Sequence, residues 1–105
     1  MSGQCFEQIQ HSNDDRLNEV YRELIRELTK RGKKNPEYLK AKGQLIRAQR
    51  QWIKFRDMDC MAVYTRYPGD SVPQPGNNQK HGVCMMEHTH QRWVDLSHWF
   101  NWQSD

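Results

Sequence analysis

Three cysteines, Cys5, Cys60 and Cys84, and the histidines His88 and His90 are the side chains of this 105-residue chain best suited by type to bind a metal or carry covalent chemistry. None of the cysteines forms a CxxC pair, so the sequence supports neither a zinc ribbon nor a thioredoxin-like redox motif. On a helix Cys84 and His88 share a face, whereas His90 points about 160° away from His88, so these three cannot ligate one ion without breaking the helix. The spacing therefore predicts no metal site and no cofactor. Glu87 and Asp95 stand eight residues apart in the same stretch, too far to cooperate as an acid and base pair without another element. A Gly-rich phosphate loop, a nucleophile elbow and an HExxH motif are all missing, and the expectation is a chain without catalytic activity.

Cross-linking is the chemistry left to the cysteines. Cys60 and Cys84 bracket "RYPGDSVPQPGNNQKHG", a stretch crowded with Pro68, Gly69, Pro73, Pro75, Gly76, Asn77, Asn78 and Gly82 that reads as one loop. A bond between them closes a ring of about 25 residues and contributes roughly 3 to 4 kcal/mol in the chain-entropy model. That is a large share of the stability open to a small domain, and it requires an oxidising compartment. Two buried free thiols fit the same spacing. The odd count leaves Cys5 over, its partner absent from the chain or carried by another one.

The elements that must position these groups are helices. "HSNDD" offers Ser12, Asn13 and Asp14 as an N-cap, with Asp14 and Asp15 at the positive end of a helix dipole. Leu17, Val20, Tyr21, Leu24, Ile25 and Leu28 then recur at three and four residues, an amphipathic helix ending near Lys30 to Gly32. Asn35 and Pro36 start a second, longer helix, with proline in the first turn where its missing N–H is harmless. Its stripe runs Leu39, Lys42, Leu45, Ile46, Gln49, Trp52, Ile53, Arg56, Cys60 and Val63, which places Gln49 and Arg56 on the buried face. A buried guanidinium or amide needs partners, and Asn18, Asp57 and Asp95 are the candidates. A third helix carries Cys84, His88, Arg92, Leu96 and Trp99 on one face, with Trp99, Phe100 and Trp102 available to close the core.

These elements make one domain over residues 1–105, with 1–11 as a lead-in and 67–82 as the Pro/Gly-rich loop. Only 35% of the residues are hydrophobic, and four Trp, four Tyr and three Phe hold much of the apolar area, so a few large anchors and a staple are expected to replace a broad aliphatic core. Sixteen basic against thirteen acidic residues give +3. The run Lys30, Arg31, Lys33 and Lys34 flanks Gly32 and reads as a solvated interhelical turn, and no nucleic-acid-binding fingerprint accompanies it. No stretch of about 18 apolar residues predicts a transmembrane helix, and no apolar leader stands at the N-terminus, a picture that a trimmed export signal would also leave.

Three segments, "LNEVYRELIREL", "LIRAQRQWIKFRDMDC" and "CMMEHTHQRWVDL", together resemble the bacterial LprI-like lysozyme inhibitor family. The shared pattern is LN..Y, then Q..W..(Y/F)RD..C, then C….T..R…L, and it covers about 80 of the 105 residues in order. The resemblance implies an all-α fold: a small three-helix domain, a helical hairpin with a long second helix plus a C-terminal helix, stapled by a disulfide and exported to the periplasm or beyond. It supports the Cys60 to Cys84 bond and makes Cys5 a cysteine whose own partner is missing, open to a dimer through Cys5. Its motif residues read as scaffold, so Asn18, Gln49, Trp52, Arg56, Asp57 and Arg92 are expected to form a buried polar core.

The family's name implies a non-catalytic protein partner for a lysozyme. A lysozyme cleft presents two carboxylates, and a tethered loop with hydrogen-bond donors could block it. Asn77, Asn78, Lys80 and His81 are the candidate contact residues. The chain's positive charge opposes encounter with basic lysozymes, an effect that physiological salt reduces to a modest one on rate. Two other roles stay open, an immunity or partner-binding protein for another secreted effector and a structural envelope module.

Overall fold

The computed structural model describes residues 3–67 and 79–100, with side chains from residue 12 onward. Three helices account for almost all of it: α1 (Gly3–Gly32), α2 (Pro36–Arg66) and α3 (Gln79–Trp99), with no strand among the described residues. Each packs against the other two, and the bundle measures 55 × 24 × 19 Å.

The α1–α2 turn is built from the signals that announced it. Backbone N–H groups of Lys33 and Lys34 donate to the carbonyls of Lys30 and Arg31 at 3.3 and 3.2 Å, closing the end of α1. Asn35 caps α2 by accepting from the Glu37 N–H at 3.0 Å, and Pro36 follows where a donor would be idle. Gly32 is buried here: a Cβ would overlap Leu39 Cδ2 and lie 2.6 Å from its Cγ, so a bare backbone is what lets Leu39 cover the helix end. The basic run forms this turn, and Arg31 donates to Glu27 Oε1 at 3.0 Å with its guanidinium 5.8 Å from the Tyr38 ring.

Two boundaries differ from the expectation. Residues 3–11 are not a lead-in, because α1 already runs through them and holds Ser12, Asn13 and Asp14 in its interior. Residues with N-cap preference lose only fractions of a kcal/mol inside a helix, and Asn13 makes a tertiary contact from there. At the other boundary Gln79 to Gly82, read as loop, are the first residues of α3. Pro68 to Asn78 and Trp102 lie outside the described residues, as does the side chain of Cys5.

Leu17, Val20, Leu24 and Leu28 of α1 meet Leu45 of α2 and Leu96 of α3 in the aliphatic core, with Tyr21, Ile25, Tyr38, Ala41, Trp52, Trp93 and Phe100 packed around it. The α2 stripe is narrower than periodicity suggests, since Leu39 and Ile53 are exposed. A helix touching two neighbours buries a limited arc, and Ile53, about 100° from Trp52, falls outside it. Trp99 does not close the core either. It stands 75% exposed at the last position of α3, while Phe100 packs inward with its N–H bonded to the Leu96 carbonyl at 3.1 Å.

Two truncations separate the real stripe from the apparent one. Leu28 is 1% exposed and Ile53 is 40% exposed. Leu28→Ala is expected to lower the unfolding free energy by about 3 kcal/mol, and Ile53→Ala by under about 1 kcal/mol, in urea denaturation followed by circular dichroism.

Candidate functional site

At the pole opposite the α1–α2 turn, the last turns of α2 and the first turns of α3 are joined by a disulfide between Cys60 and Cys84, whose Cα atoms are 5.6 Å apart. Cys60 is fully buried and Cys84 half-buried. Beside the bond, His88 Nε2 stands 2.6 Å from Asp59 Oδ2, an ion pair when the imidazole is protonated, and the Phe55 ring meets the imidazole edge to face at 5.6 Å. Cys84 and His88 share a face of α3 as their spacing requires. His90 is turned away toward α1, where its Nδ1 lies 3.3 Å from Asn13 Oδ1.

Moving toward the middle of the bundle, Arg56 donates from Nε and Nη2 to Asp57 Oδ1 at 3.0 Å each and from Nη1 to the buried Thr89 hydroxyl at 3.4 Å. Gln49, buried on the same face of α2, accepts from Arg92 Nε at 3.0 Å. The Trp52 ring lies between these contacts along α2, its centroid 5.0 Å from the Arg56 guanidinium carbon and 5.8 Å from that of Arg92. Burial pushes the Arg92 guanidinium below its ordinary range, and the charges of Asp95 and Tyr21 oppose that shift. Two cations are thus held among aromatic and amide groups by hydrogen bonds and ring faces.

Of the residues expected in a buried polar core, Gln49 is buried, Trp52, Arg56 and Arg92 are half-buried, and Asn18 and Asp57 are exposed. Asn18 follows Leu17 by one residue, which turns it about 100° off the core line of α1. Asp57 reaches Arg56 along its own helix from the solvent side. The partner of Gln49 is Arg92, a residue on another helix. Three contributors escaped the sequence reading: Asn13, whose Oδ1 accepts from Trp93 Nε1 at 3.1 Å, Thr89, and the Asp59–His88 pair. Thr89 is a matched position of the family pattern, which was its one available signal.

Lys80 and His81, candidates for partner contact, sit in the first turn of α3 against the end of α2. The Lys80 ammonium is 5.2 Å from the Tyr67 ring centroid, and His81 meets Tyr64 edge to face at 6.2 Å. Asn77 and Asn78 lie outside the described residues. Next to Lys80 an open groove of about 480 Å³ runs between α2 and α3, lined by Asp59, Val63, Val83, Cys84, Glu87 and His88 among others. Chemically, this pole offers cationic and imidazole donors on aromatic supports, held close to a covalent cross-link.

The Gln49–Arg92 bond makes a prediction. Gln49→Leu leaves a half-buried guanidinium short of an acceptor and is expected to destabilise by about 2 kcal/mol, whereas adding Arg92→Met removes the orphaned charge and recovers part of the loss. Chemical denaturation of both single variants and the double variant checks it, and strict additivity would show that the two side chains act independently.

Neither the curated proteins nor the solved structures contain a match to this chain. A family model does match, described as lysozyme inhibitor LprI, and it spans residues 1–96, which include the disulfide and the polar contacts between the helices described above. With the polar pattern of α2 and α3 and the inter-helix disulfide in place, the chain belongs to the LprI lysozyme inhibitor family.

Proposed function

We propose that the protein is an exported, non-catalytic inhibitor of a lysozyme-type muramidase. The observation that carries this reading is the family match over residues 1–96. Export is supported by the Cys60–Cys84 disulfide, since such bonds persist in oxidising compartments, and no helix among the described residues is long and apolar enough to cross a membrane.

The contact surface in this reading is the cross-linked pole. Lys80 and His81 supply the hydrogen-bond donors that a pair of cleft carboxylates accepts, and Tyr64 and Tyr67 supply rigid amphipathic area. Cys84 stands one helical turn after Lys80 and ties it to α2, so little conformational freedom is lost on binding.

A second reading, a partner-binding or immunity protein for another secreted effector, draws on a different face. Phe55, Met58 and Met61 project from α2 with Met58 74% exposed, an apolar band that a carboxylate cleft would not use.

A turbidity assay of bacterial cell walls with a chicken-type lysozyme, titrated with the oxidised protein, tests the first reading. Stoichiometric inhibition is expected, weakened about tenfold or more in Kd, or about 1.4 kcal/mol, by Lys80→Ala combined with His81→Ala. Absence of inhibition at micromolar excess would sink the lysozyme reading and send the search to the α2 band. Inhibition untouched by the double substitution would keep the target and discard the pole as its contact.

A further inference from the structure

We propose that opening the Cys60–Cys84 disulfide converts the cross-link into a zinc site formed by Cys60 Sγ, Cys84 Sγ and His88. The ligand atoms of these three residues already fall within 4.8 Å of one another, and donor atoms of a tetrahedral zinc site stand roughly 3 to 4 Å apart. Two helices supply them. Cys84 and His88 are neighbours at i and i+4 on α3, and Cys60 faces them from α2. This is a different set from Cys84, His88 and His90, which helix geometry keeps apart.

Asp59 completes the argument from outside the ligand set. Its Oδ2 is 2.6 Å from His88 Nε2, which holds the imidazole in place and leaves Nδ1 as the nitrogen for a metal. A carboxylate on the far nitrogen is the usual support of a metal-bound histidine, fixing tautomer and ring orientation. Two thiolates and a neutral imidazole balance the charge of Zn²⁺, and the groove lined by Cys84, Glu87 and His88 gives water or a further ligand access to the fourth position.

The gating step uses a dithiol reductant. Its thiolate attacks Sγ of Cys84, the half-buried cysteine that lines the groove, whereas Cys60 is fully buried; the S–S bond breaks, and Cys60 leaves as a thiolate. The second thiolate of the reductant attacks the mixed disulfide, releasing the Cys84 thiolate and a cyclic disulfide. Two electrons pass to the protein, and the two thiolates take the metal in place of protons. The oxidised chain has both sulfurs committed to each other and cannot bind zinc through them. In this scheme the pole has two exclusive cross-links, one covalent and one through the metal.

The test uses cobalt(II) and zinc(II) with the full chain carrying Cys5→Ser, so that every thiolate signal comes from Cys60 and Cys84. Reduced protein, freed of reductant anaerobically, is titrated with cobalt(II) and then zinc(II), with helicity followed by circular dichroism. One equivalent of cobalt is expected, with thiolate-to-cobalt charge-transfer absorption that zinc abolishes, and none in the oxidised protein. His88→Ala is expected to weaken zinc binding tenfold or more, and Asp59→Asn about tenfold. If the reduced apo chain loses helix, zinc is expected to restore it. Binding that ignores His88→Ala, an oxidised protein that gives the same absorption, or a reduced chain that zinc neither binds to nor refolds would each overturn the proposal.

Discussion

The structure depends on a shortage of apolar surface being met differently at its two ends. Near the α1–α2 turn the bundle is conventional, with Leu24, Leu28 and Leu45 buried and a capped turn holding the hairpin. Toward the other pole the described residues of α2 and α3 bury no aliphatic side chain between them beyond half-buried positions such as Val63. There the fully buried side chains are Cys60 and Thr89. A disulfide acts on the unfolded chain and does not require area to be removed from water, so it stabilises where hydrophobic burial cannot.

Between the two ends lies a polar layer, and its position explains its composition. Gln49, Trp52 and Arg56 succeed one another on α2 at helical spacing, and Arg92 and Thr89 answer from α3. Each cation has an oxygen acceptor and an aromatic face, so burial is compensated locally without a fully enclosed ion pair. Such a layer is directional, unlike packing of leucines. It fixes the axial register of α3 against α2, and register is what brings Cys84 to Cys60 and His88 to Asp59.

Helix number, order and the capped turn were legible in the sequence because they follow from local rules, a 3.6-residue period and Asn-Pro chemistry. The inter-helix bond was suggested by two cysteines flanking the one Pro- and Gly-rich stretch, a spacing that two free thiols also fit, and the family resemblance tipped the reading toward the bond. What escaped was decided by the third dimension. Whether Ile53 or Trp99 is covered depends on how wide an arc the neighbouring helices occupy, which no single-helix pattern carries. Asp59 and His88 lie on different helices 29 residues apart, and Asp59 sits off the apolar stripe, so nothing local marks them as a pair. Ser12 to Asp14 carried a true capping preference that a longer helix overrode.

The same division governs function. The residues that carry the resemblance in the sequence, from Leu17 and Tyr21 to Trp52, Arg56, Cys60, Cys84, Thr89 and Arg92, are those that set core, register and cross-link in the structure. A scaffold fixed by such residues constrains very little of its own surface. Tyr64, Tyr67, Lys80 and His81 fall in the interval between the second and third matched segments, held rigidly by the cross-link yet free to vary without touching the polar layer. On the proposed reading, recognition of a target falls to that interval or to the outer face of α2, surfaces that the scaffold residues leave unconstrained.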